Sequence, residues 1–99
     1  MEIKIQSIHF DADQKLLELI KEKVSRLDHF YEHIVSAEVF LKLERSDRHE
    51  NKLAEIKIQI PGKILFAKEQ NLSFEHAVEI AVDALLKQVK REKEKARRL

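Results

Sequence analysis

Basic side chains gather at the end of this 99-residue chain, and they are its clearest candidates for chemistry. Residues 87–99 hold seven Lys or Arg and two Glu, whereas residues 1–86 hold twelve basic and sixteen acidic side chains. The total of +1 therefore hides a net charge of +5 at the end and −4 in the body. A cationic end on an acidic body is typical of polyanion binders. It is equally typical of a solvated helix end whose cations interact favourably with the helix dipole.

No arrangement of side chains in the sequence predicts a catalytic centre. The chain has no cysteine, which excludes thiol catalysis and cysteine zinc sites, and its only glycine follows Pro61 in a turn. No serine lies in a nucleophile elbow. His29 and His33 are four residues apart and on a helix could share a metal, but they fall where a predicted helix ends. We therefore predict no catalytic residue, no metal, no cofactor and no small-molecule substrate.

Length and composition predict one soluble domain that covers residues 1–99. A chain of 11.7 kDa with 43% hydrophobic and 37% charged residues has enough apolar side chains for one core and enough charge to solvate its surface. No apolar run approaches the roughly 18 residues of a membrane span. The opening Met1-Glu2-Ile3-Lys4 alternates and is charged, so it is typical of a strand and not of a signal peptide. We expect a cytoplasmic protein with no membrane contact.

Hydrophobic periodicity predicts the order strand, helix, three strands, helix. Alternation indicates strands over residues 2–6, 37–44, 54–60 and 64–68, with a polar loop over 45–52 and a turn at Pro61-Gly62. Asp13 is a suitable N-cap for a first helix whose apolar stripe runs to Tyr31. Ser73 is suited to cap a second helix that extends to Arg97.

Two of the strands alternate apolar with charged residues, so one face of the sheet is predicted to be dry and the other wet. Both helices must then cover the dry face. The predicted fold class is an α+β two-layer sandwich, β-α-β-β-β-α, with a four-stranded mixed sheet. The helix-containing first connection predicts a right-handed crossover between parallel neighbours.

The second helix is longer than its apolar stripe, which ends at Val89. About two further turns then project past the core and carry most of the basic residues, as a rod that contacts phosphates would. Lys23 and Arg26 add a smaller basic point on the first helix. Phe40 is predicted to be exposed on the wet sheet face, where an aromatic ring serves either as a stacking platform or, more often, in cross-strand packing.

Four ordered segments of the sequence carry a resemblance to a known family. They are Ile3-Lys4-Ile5-Gln6-Ser7; Lys23, Arg26, Leu27 and Asp28 followed by Phe30 and Tyr31; Val39-Phe40-Leu41-Lys42-Leu43-Glu44-Arg45; and Ala77-Val78-Glu79, Val82-Asp83-Ala84-Leu85 and Lys87-Gln88-Val89. Together these segments resemble the short hibernation-promoting factor / ribosome-associated inhibitor family of bacteria, also called the sigma-54 modulation protein family. The resemblance covers essentially the whole chain. The chain departs from the family at Ser73-Phe74-Glu75, where the family has Asp-Met-Tyr, and at Ala84, where it has Lys.

The resemblance implies a fold reminiscent of double-stranded RNA-binding domains and a site on the small ribosomal subunit. Members of the family occupy the channel of messenger and transfer RNA, block translation and preserve idle ribosomes in stationary phase or stress. Shape and charge are expected to outweigh base sequence in such binding. The residues expected to bind ribosomal RNA are Lys23, Arg26, Lys87, Lys90, Arg91, Lys93 and Lys95.

The chain ends at Leu99, where long family members continue into a dimerising domain, so we expect no C-terminal dimerisation domain and a monomer. Whether a second hibernation factor takes part, and whether the protein drives ribosome dimerisation or silences single ribosomes, stays open. The alternative hypothesis is a small protein-protein adaptor that uses its exposed sheet face, with the basic tail serving only solubility.

Overall fold

A computed structural model of the protein describes residues 1–45, 47 and 49–97. Ser46 and Arg48 of the predicted loop, and Arg98 and Leu99 of the basic end, lie outside the described residues. The elements follow one another as β1 (Glu2–Ile8), α1 (Gln14–Ser25) with a 3₁₀ helix (Arg26–His29), β2 (Ser36–Leu43), β3 (Lys52–Ile60), β4 (Lys63–Asn71) and α2 (Phe74–Arg97). This order confirms the predicted β-α-β-β-β-α arrangement. No described helix has the length and apolarity needed to cross a membrane.

The four strands form one mixed sheet in the order β1-β2-β3-β4. β1 and β2 run parallel, as a helix-containing connection requires, while β2, β3 and β4 are antiparallel neighbours. The register aligns Ile5, Val39, Ile56 and Ala67 in one row across the sheet. The turn between β3 and β4 has Gly62 at a φ of 76°, which a type II turn demands and glycine adopts without steric cost.

Both helices pack on the same face of this sheet, as predicted. Ile20 and Val24 of α1, Leu85 of α2, and Ile56 and Ile58 of β3 are all 0% exposed and belong to one cluster. Within the part of the chain that the structure describes, no polar or charged residue is buried. Hydrophobic burial without internal polar pairing therefore holds the two layers together.

The first helix is shorter than its apolar stripe predicts. Asp13 caps it as expected, since its Oδ1 accepts a hydrogen bond of 2.8 Å from the Leu16 N–H. The α-helix ends at Ser25, however, and the backbone N–H groups of Phe30 and Tyr31 both donate to the carbonyl of Leu27. This tightened exit directs the chain towards β2, so Tyr31 lies outside the helix although it is still half-buried.

The chain between β1 and α1 depends on a backbone conformation that the sequence pattern did not reveal. His9 has a φ of 63°, in the left-handed region that non-glycine residues seldom adopt. The next residue, Phe10, stacks on Phe74 at the start of α2, with ring centroids 5.1 Å apart and an angle of 4° between the ring planes. Phe10 thereby joins the beginning of α1 to the beginning of α2.

The outer face of the sheet is less uniformly polar than predicted, and the exposure expected of Phe40 is wrong. Phe40 is half-buried because Lys57 lies over its ring, with the ammonium 5.7 Å from the ring centroid, so the cross-strand role is the one observed. Leu53 on the same face is only 3% exposed, whereas Ile64 and Phe66 of β4 are 58% and 45% exposed. Long lysine side chains cover the apolar groups near the centre of the sheet, and β4 lies at its edge.

Replacing Ile58 by alanine tests whether the dry face carries the fold. Because Ile58 is 0% exposed, Ile58→Ala should lower the free energy of unfolding by about 2–5 kcal/mol. Gln6→Ala, on the exposed outer face of β1, is the control and should stay within about 0.5 kcal/mol of the parent. Denaturant unfolding measures both variants, and a loss under about 0.5 kcal/mol for Ile58→Ala would contradict the assigned core.

Candidate nucleic-acid interface

The cationic end of α2 projects beyond the hydrophobic core. Val89 is the last buried residue of the helix, and the described helix continues through Lys90–Arg97 for eight residues, or about 12 Å. The opposite end of the helix is capped, since the Ser73 Oγ accepts a hydrogen bond of 3.2 Å from the His76 N–H. The helix is thus fixed at its beginning and along its apolar stripe, while its final two turns have few core contacts.

Charge changes sign along α2. Residues 74–86 include Glu75, Glu79 and Asp83 and no Lys or Arg, whereas residues 87–97 include six Lys or Arg and two Glu. Acidic groups near the N-terminus and basic groups near the C-terminus are both favourable against the helix dipole. The dipole explains the order of the charges, but it does not require six cations within eleven residues.

Four of the predicted cations of α2 are exposed, and the fifth is half-buried. Lys87, Lys90, Arg91 and Lys95 are exposed, and Lys93 is half-buried. Among the described residues, no carboxylate lies within 4.0 Å of any of them except Lys95, whose ammonium is 3.4 Å from Glu92. Lys87 and Arg91 are four residues apart and so share one surface of the helix. Lys87, Lys90, Arg91 and Lys93 therefore have no described carboxylate that competes with a phosphate for them.

Two contacts hold the projecting end of α2 in place from opposite sides. On one side, the Lys63 ammonium lies 2.6 Å from Glu92 and joins the helix to the start of β4. On the other side, the Lys90 ammonium lies 5.3 Å from the ring centroid of Phe30. A further hydrogen bond of 3.0 Å, from the Gln88 Nε2 to the Phe66 carbonyl, attaches the helix to β4. These contacts therefore fix the position of the cationic end relative to β4 and to the exit of α1.

Glu92 is the acidic residue that makes the contact with Lys63, and it also lies close to Lys95. Its hydrogen bond with Lys63 lowers the pKa of the Glu92 carboxyl, and Lys95 lowers it further, while partial removal from water acts in the opposite direction. Glu92 consequently stays ionised and neutralises part of the charge of both lysines. Lys95 is thus less available to a polyanion than its position in the sequence suggests.

The two basic residues predicted on the first helix have carboxylate partners. The Lys23 ammonium is 3.5 Å from Glu79 of α2, and its side chain is only 16% exposed. The Arg26 guanidinium is 3.7 Å from Glu22. Glu79 precedes Lys87 by eight residues, which separates them by about 12 Å along α2. The structure therefore pairs both Lys23 and Arg26 with carboxylates, and it separates Lys23 from the first of the α2 cations.

The two histidines considered as metal ligands do not share a helix. His29 ends the 3₁₀ helix, and His33 lies beyond it with its ring edge against Tyr31, at 5.3 Å between centroids. Among residues 1–45, 47 and 49–97, no three His, Cys, Asp or Glu side chains are grouped closely enough to hold a metal ion.

Lys63 and Phe30 contribute to the cationic surface, although little in the sequence pattern indicated either residue. Lys63 is 29 residues from Glu92, and Phe30 is 60 residues from Lys90, so no local pattern connects either pair. The available signal for Phe30 was its place in an aromatic pair with Tyr31, where the first helix is predicted to end. Nothing local distinguished Lys63 from the other lysines of the sheet.

Comparison with known proteins gives one family and several relatives. The family model described as "Sigma 54 modulation protein / S30EA ribosomal protein" matches residues 3–97. A ribosome hibernation promoting factor of Pseudomonas putida is 27% identical over 99 residues, which cover 100% of this chain and 93% of the relative. A ribosome hibernation promotion factor of Deinococcus radiodurans is 29% identical over 83 residues, covering 82% of this chain and 43% of the relative.

Two solved structures share the fold. The crystal structure of the Thermus thermophilus Protein Y N-terminal domain superposes with a TM-score of 0.80 at 28% identity, covering 92% of this chain and 98% of that one. A ribosomal subunit interface protein from Coxiella burnetii gives a TM-score of 0.83 at 18% identity, covering 95% and 99%. The second similarity concerns the fold alone. Together they confirm the α+β class with four strands and two helices.

Glu92→Gln tests the contact that positions the end of α2. The lowered pKa means that the pair with Lys63 stabilises the fold well above about pH 4.3, the ordinary pKa of glutamate, and that this contribution is lost as the pH falls through the lowered value. The variant should therefore melt below the parent at pH 7, and the difference should shrink in acid. Thermal melting across pH 2–7 measures it.

Glu2→Gln is the matched control, because no Lys or Arg of the described residues lies within 4.0 Å of that exposed carboxylate on β1. It should follow the parent throughout. Equal melting of Glu92→Gln and the parent at neutral pH would show that the ion pair does not hold the helix end.

Proposed function

The chain belongs to the sigma 54 modulation protein / S30EA ribosomal protein family, and on that premise we propose that it is a ribosome hibernation factor, a protein that binds the ribosome and holds it idle. The observation that carries the proposal is the group of α2 cations at and beyond the end of the core, of which Lys87, Lys90, Arg91 and Lys93 have no carboxylate within 4.0 Å among the described residues. Two relatives named as ribosome hibernation factors support it. The match covers 93% of the Pseudomonas putida protein and 43% of the Deinococcus radiodurans protein. The adaptor hypothesis is not favoured by these relatives.

The chemistry of the site supports binding to the phosphate backbone of ribosomal RNA. Lys and Arg side chains on a projecting helix contact phosphates, which contribute most of the affinity and make it depend on salt. The residues best placed for this role are Lys87, Lys90, Arg91 and Lys93. Lys95 is paired with Glu92, and Lys23 and Arg26 form a secondary basic point on the first helix and its exit. None of this requires catalysis.

The finer mechanism that we propose is occupation of the messenger and transfer RNA channel of the small subunit. A cationic domain placed there blocks translation by exclusion and preserves the idle ribosome in stationary phase or stress. Residues 1–99 would act as one ribosome-binding domain, as a monomer in the cytoplasm. The sedimentation profile of ribosomes mixed with the pure protein distinguishes silenced single ribosomes from ribosome pairs, with and without a second hibernation factor.

Binding to ribosomes should weaken steeply as salt is raised. If about five cations meet phosphates, the logarithm of the binding constant should fall against the logarithm of salt concentration with a slope of about −3.5 to −4.5, depending on whether the RNA is single- or double-stranded. Co-sedimentation with purified ribosomes between low and raised salt measures the slope. A slope near zero would favour binding through the sheet face to a protein.

Reversing two charges on α2 should separate binding from folding. Lys87→Glu with Arg91→Glu replaces two cations of one exposed helix surface by anions, so binding should weaken a hundredfold or more, at about 1.5–3 kcal/mol per site. Folding should change by only about 0.5 kcal/mol plus a modest dipole penalty. Inhibition of cell-free translation and thermal melting are measured together.

Lys15→Glu with Lys21→Glu is the matched control, because it makes the same change of net charge at two exposed lysines of α1 that, like Lys87 and Arg91, have no carboxylate within 4.0 Å among the described residues. It should inhibit translation like the parent. If the α2 double variant melts normally and still inhibits at the parent's concentration, the assignment of the α2 cations to RNA is wrong.

A further inference from the structure

A cavity of about 470 Å³ lies between the exit of α1 and the projecting end of α2. One wall is aromatic and includes Phe30, Tyr31 and His33, and the opposite wall carries Lys93 and Arg97. A volume of this size is ordinary for a small-molecule or nucleotide site. The cavity is separate from the surface of Lys87 and Arg91, which lies on another side of the helix.

The aromatic wall includes a ring that faces solvent and not the hydrophobic core. Phe30 is 39% exposed, although it directly follows a 3₁₀ helix in which Leu27 is 1% exposed. Lys90 lies over the Phe30 ring at 5.3 Å, and the edge of His33 meets Tyr31 at 5.3 Å, so both rings have defined neighbours. Ordered rings beside cations are the combination on which unpaired bases stack while their phosphates meet Lys or Arg.

Two carboxylates in the lining of the cavity can accept hydrogen bonds from the edge of a base. Asp28 and Glu32 contribute carboxylates to the lining, and the Asp28 Oδ2 also accepts a hydrogen bond of 3.3 Å from the Met1 ammonium, which leaves its Oδ1 and the Glu32 carboxylate for a ligand. Carboxylates accept hydrogen bonds from the amino and imino groups of bases, whereas they repel phosphates. A ligand that presents N–H groups at one end and a phosphate at the other matches the distribution of charge in the cavity, and a bare phosphate does not.

We propose that this cavity, which we call the α1–α2 cavity, binds one unpaired ribonucleotide, with its base against Phe30 and its phosphate at Lys93. The proposal rests on the proposed function in so far as the nucleotide is part of ribosomal RNA. It adds to phosphate contacts a stacking contact that double-stranded RNA cannot make, because paired bases are not available to the ring. It gives the protein a means of preferring an unpaired segment.

Tyr31 provides a built-in probe for the test, because the chain has one tyrosine and no tryptophan. Tyr31 lines the α1–α2 cavity, so its fluorescence reports on occupation of that cavity. We expect a short oligouridylate to change the Tyr31 fluorescence of the full chain in a saturable way. An RNA duplex of the same number of phosphates should change it much less, and uridine monophosphate should need a far higher concentration.

Phe30→Ala should weaken oligouridylate binding at least about fivefold, because stacking on an aromatic ring contributes that much or more per base. The slope of the logarithm of affinity against the logarithm of salt concentration should stay unchanged, since no cation is removed. Lys93→Gln should instead reduce that slope by about 0.7. Phe66→Ala is the matched control, since Phe66 is similarly exposed at 45% but lies on the outer sheet face. It should bind like the parent.

Phe30→Leu keeps an apolar side chain at this position, so it separates the loss of the aromatic ring from a loss of folding. It should melt like the parent and bind the oligouridylate more weakly. Absence of a Tyr31 response, or equal binding by the Phe30 and Phe66 variants, would overturn the proposal. If uridine monophosphate saturates the Tyr31 response at the same concentration as the oligouridylate, the cavity binds a free nucleotide, and the proposal that the nucleotide belongs to RNA is wrong. If the parent fails to sediment with ribosomes, the proposed function is wrong, whereas the Tyr31 response still tests whether the cavity binds a nucleotide.

Discussion

The packing of the apolar stripe of α2 against the sheet is the interaction on which the rest of the structure depends. Val78, Leu85 and Val89 of the helix are 0% exposed, as are Ile56 and Ile58 of the strand beneath. This one contact covers the dry face of β3 and β4 and fixes the direction of the helix. Because the stripe ends at Val89 and the helix does not, the same contact decides where the cationic end projects.

Electrostatics then determines which cations are available on the surface that this packing creates. Glu79 occupies Lys23, Glu22 faces Arg26, and Glu92 is shared between Lys63 and Lys95. Exposed pairs of this kind contribute only modestly to global stability, so besides positioning the end of α2 they mainly decide where free positive charge remains. What remains along α2 is the set Lys87, Lys90, Arg91 and Lys93, which begins just before the last buried residue, Val89, and extends into the projecting end.

The exit of α1 links the fold to the interface. The 3₁₀ helix brings Phe30 against Lys90 and places Tyr31 beside the last turns of α2. Lys63 and Glu92 secure the same segment from the side of β4. The end of α2 therefore lies between two supports, one aromatic and one ionic, and the two supports leave different surfaces of the helix open. One surface offers cations alone, and the other combines cations with aromatic rings.

Alternation and helical periodicity are local properties of the chain, so the residue pattern alone predicted the elements, their order and the face that each buries. The same pattern located the excess of positive charge at the end of α2 and the caps at Asp13 and Ser73. The long-range ion pairs emerged only from the assembled fold, because the partners of Lys23 and Lys63 are 56 and 29 residues away. The same holds for the half-burial of Phe40 beneath Lys57 and for the cavity at Phe30, since both are made by segments that meet only when the sheet and helices assemble.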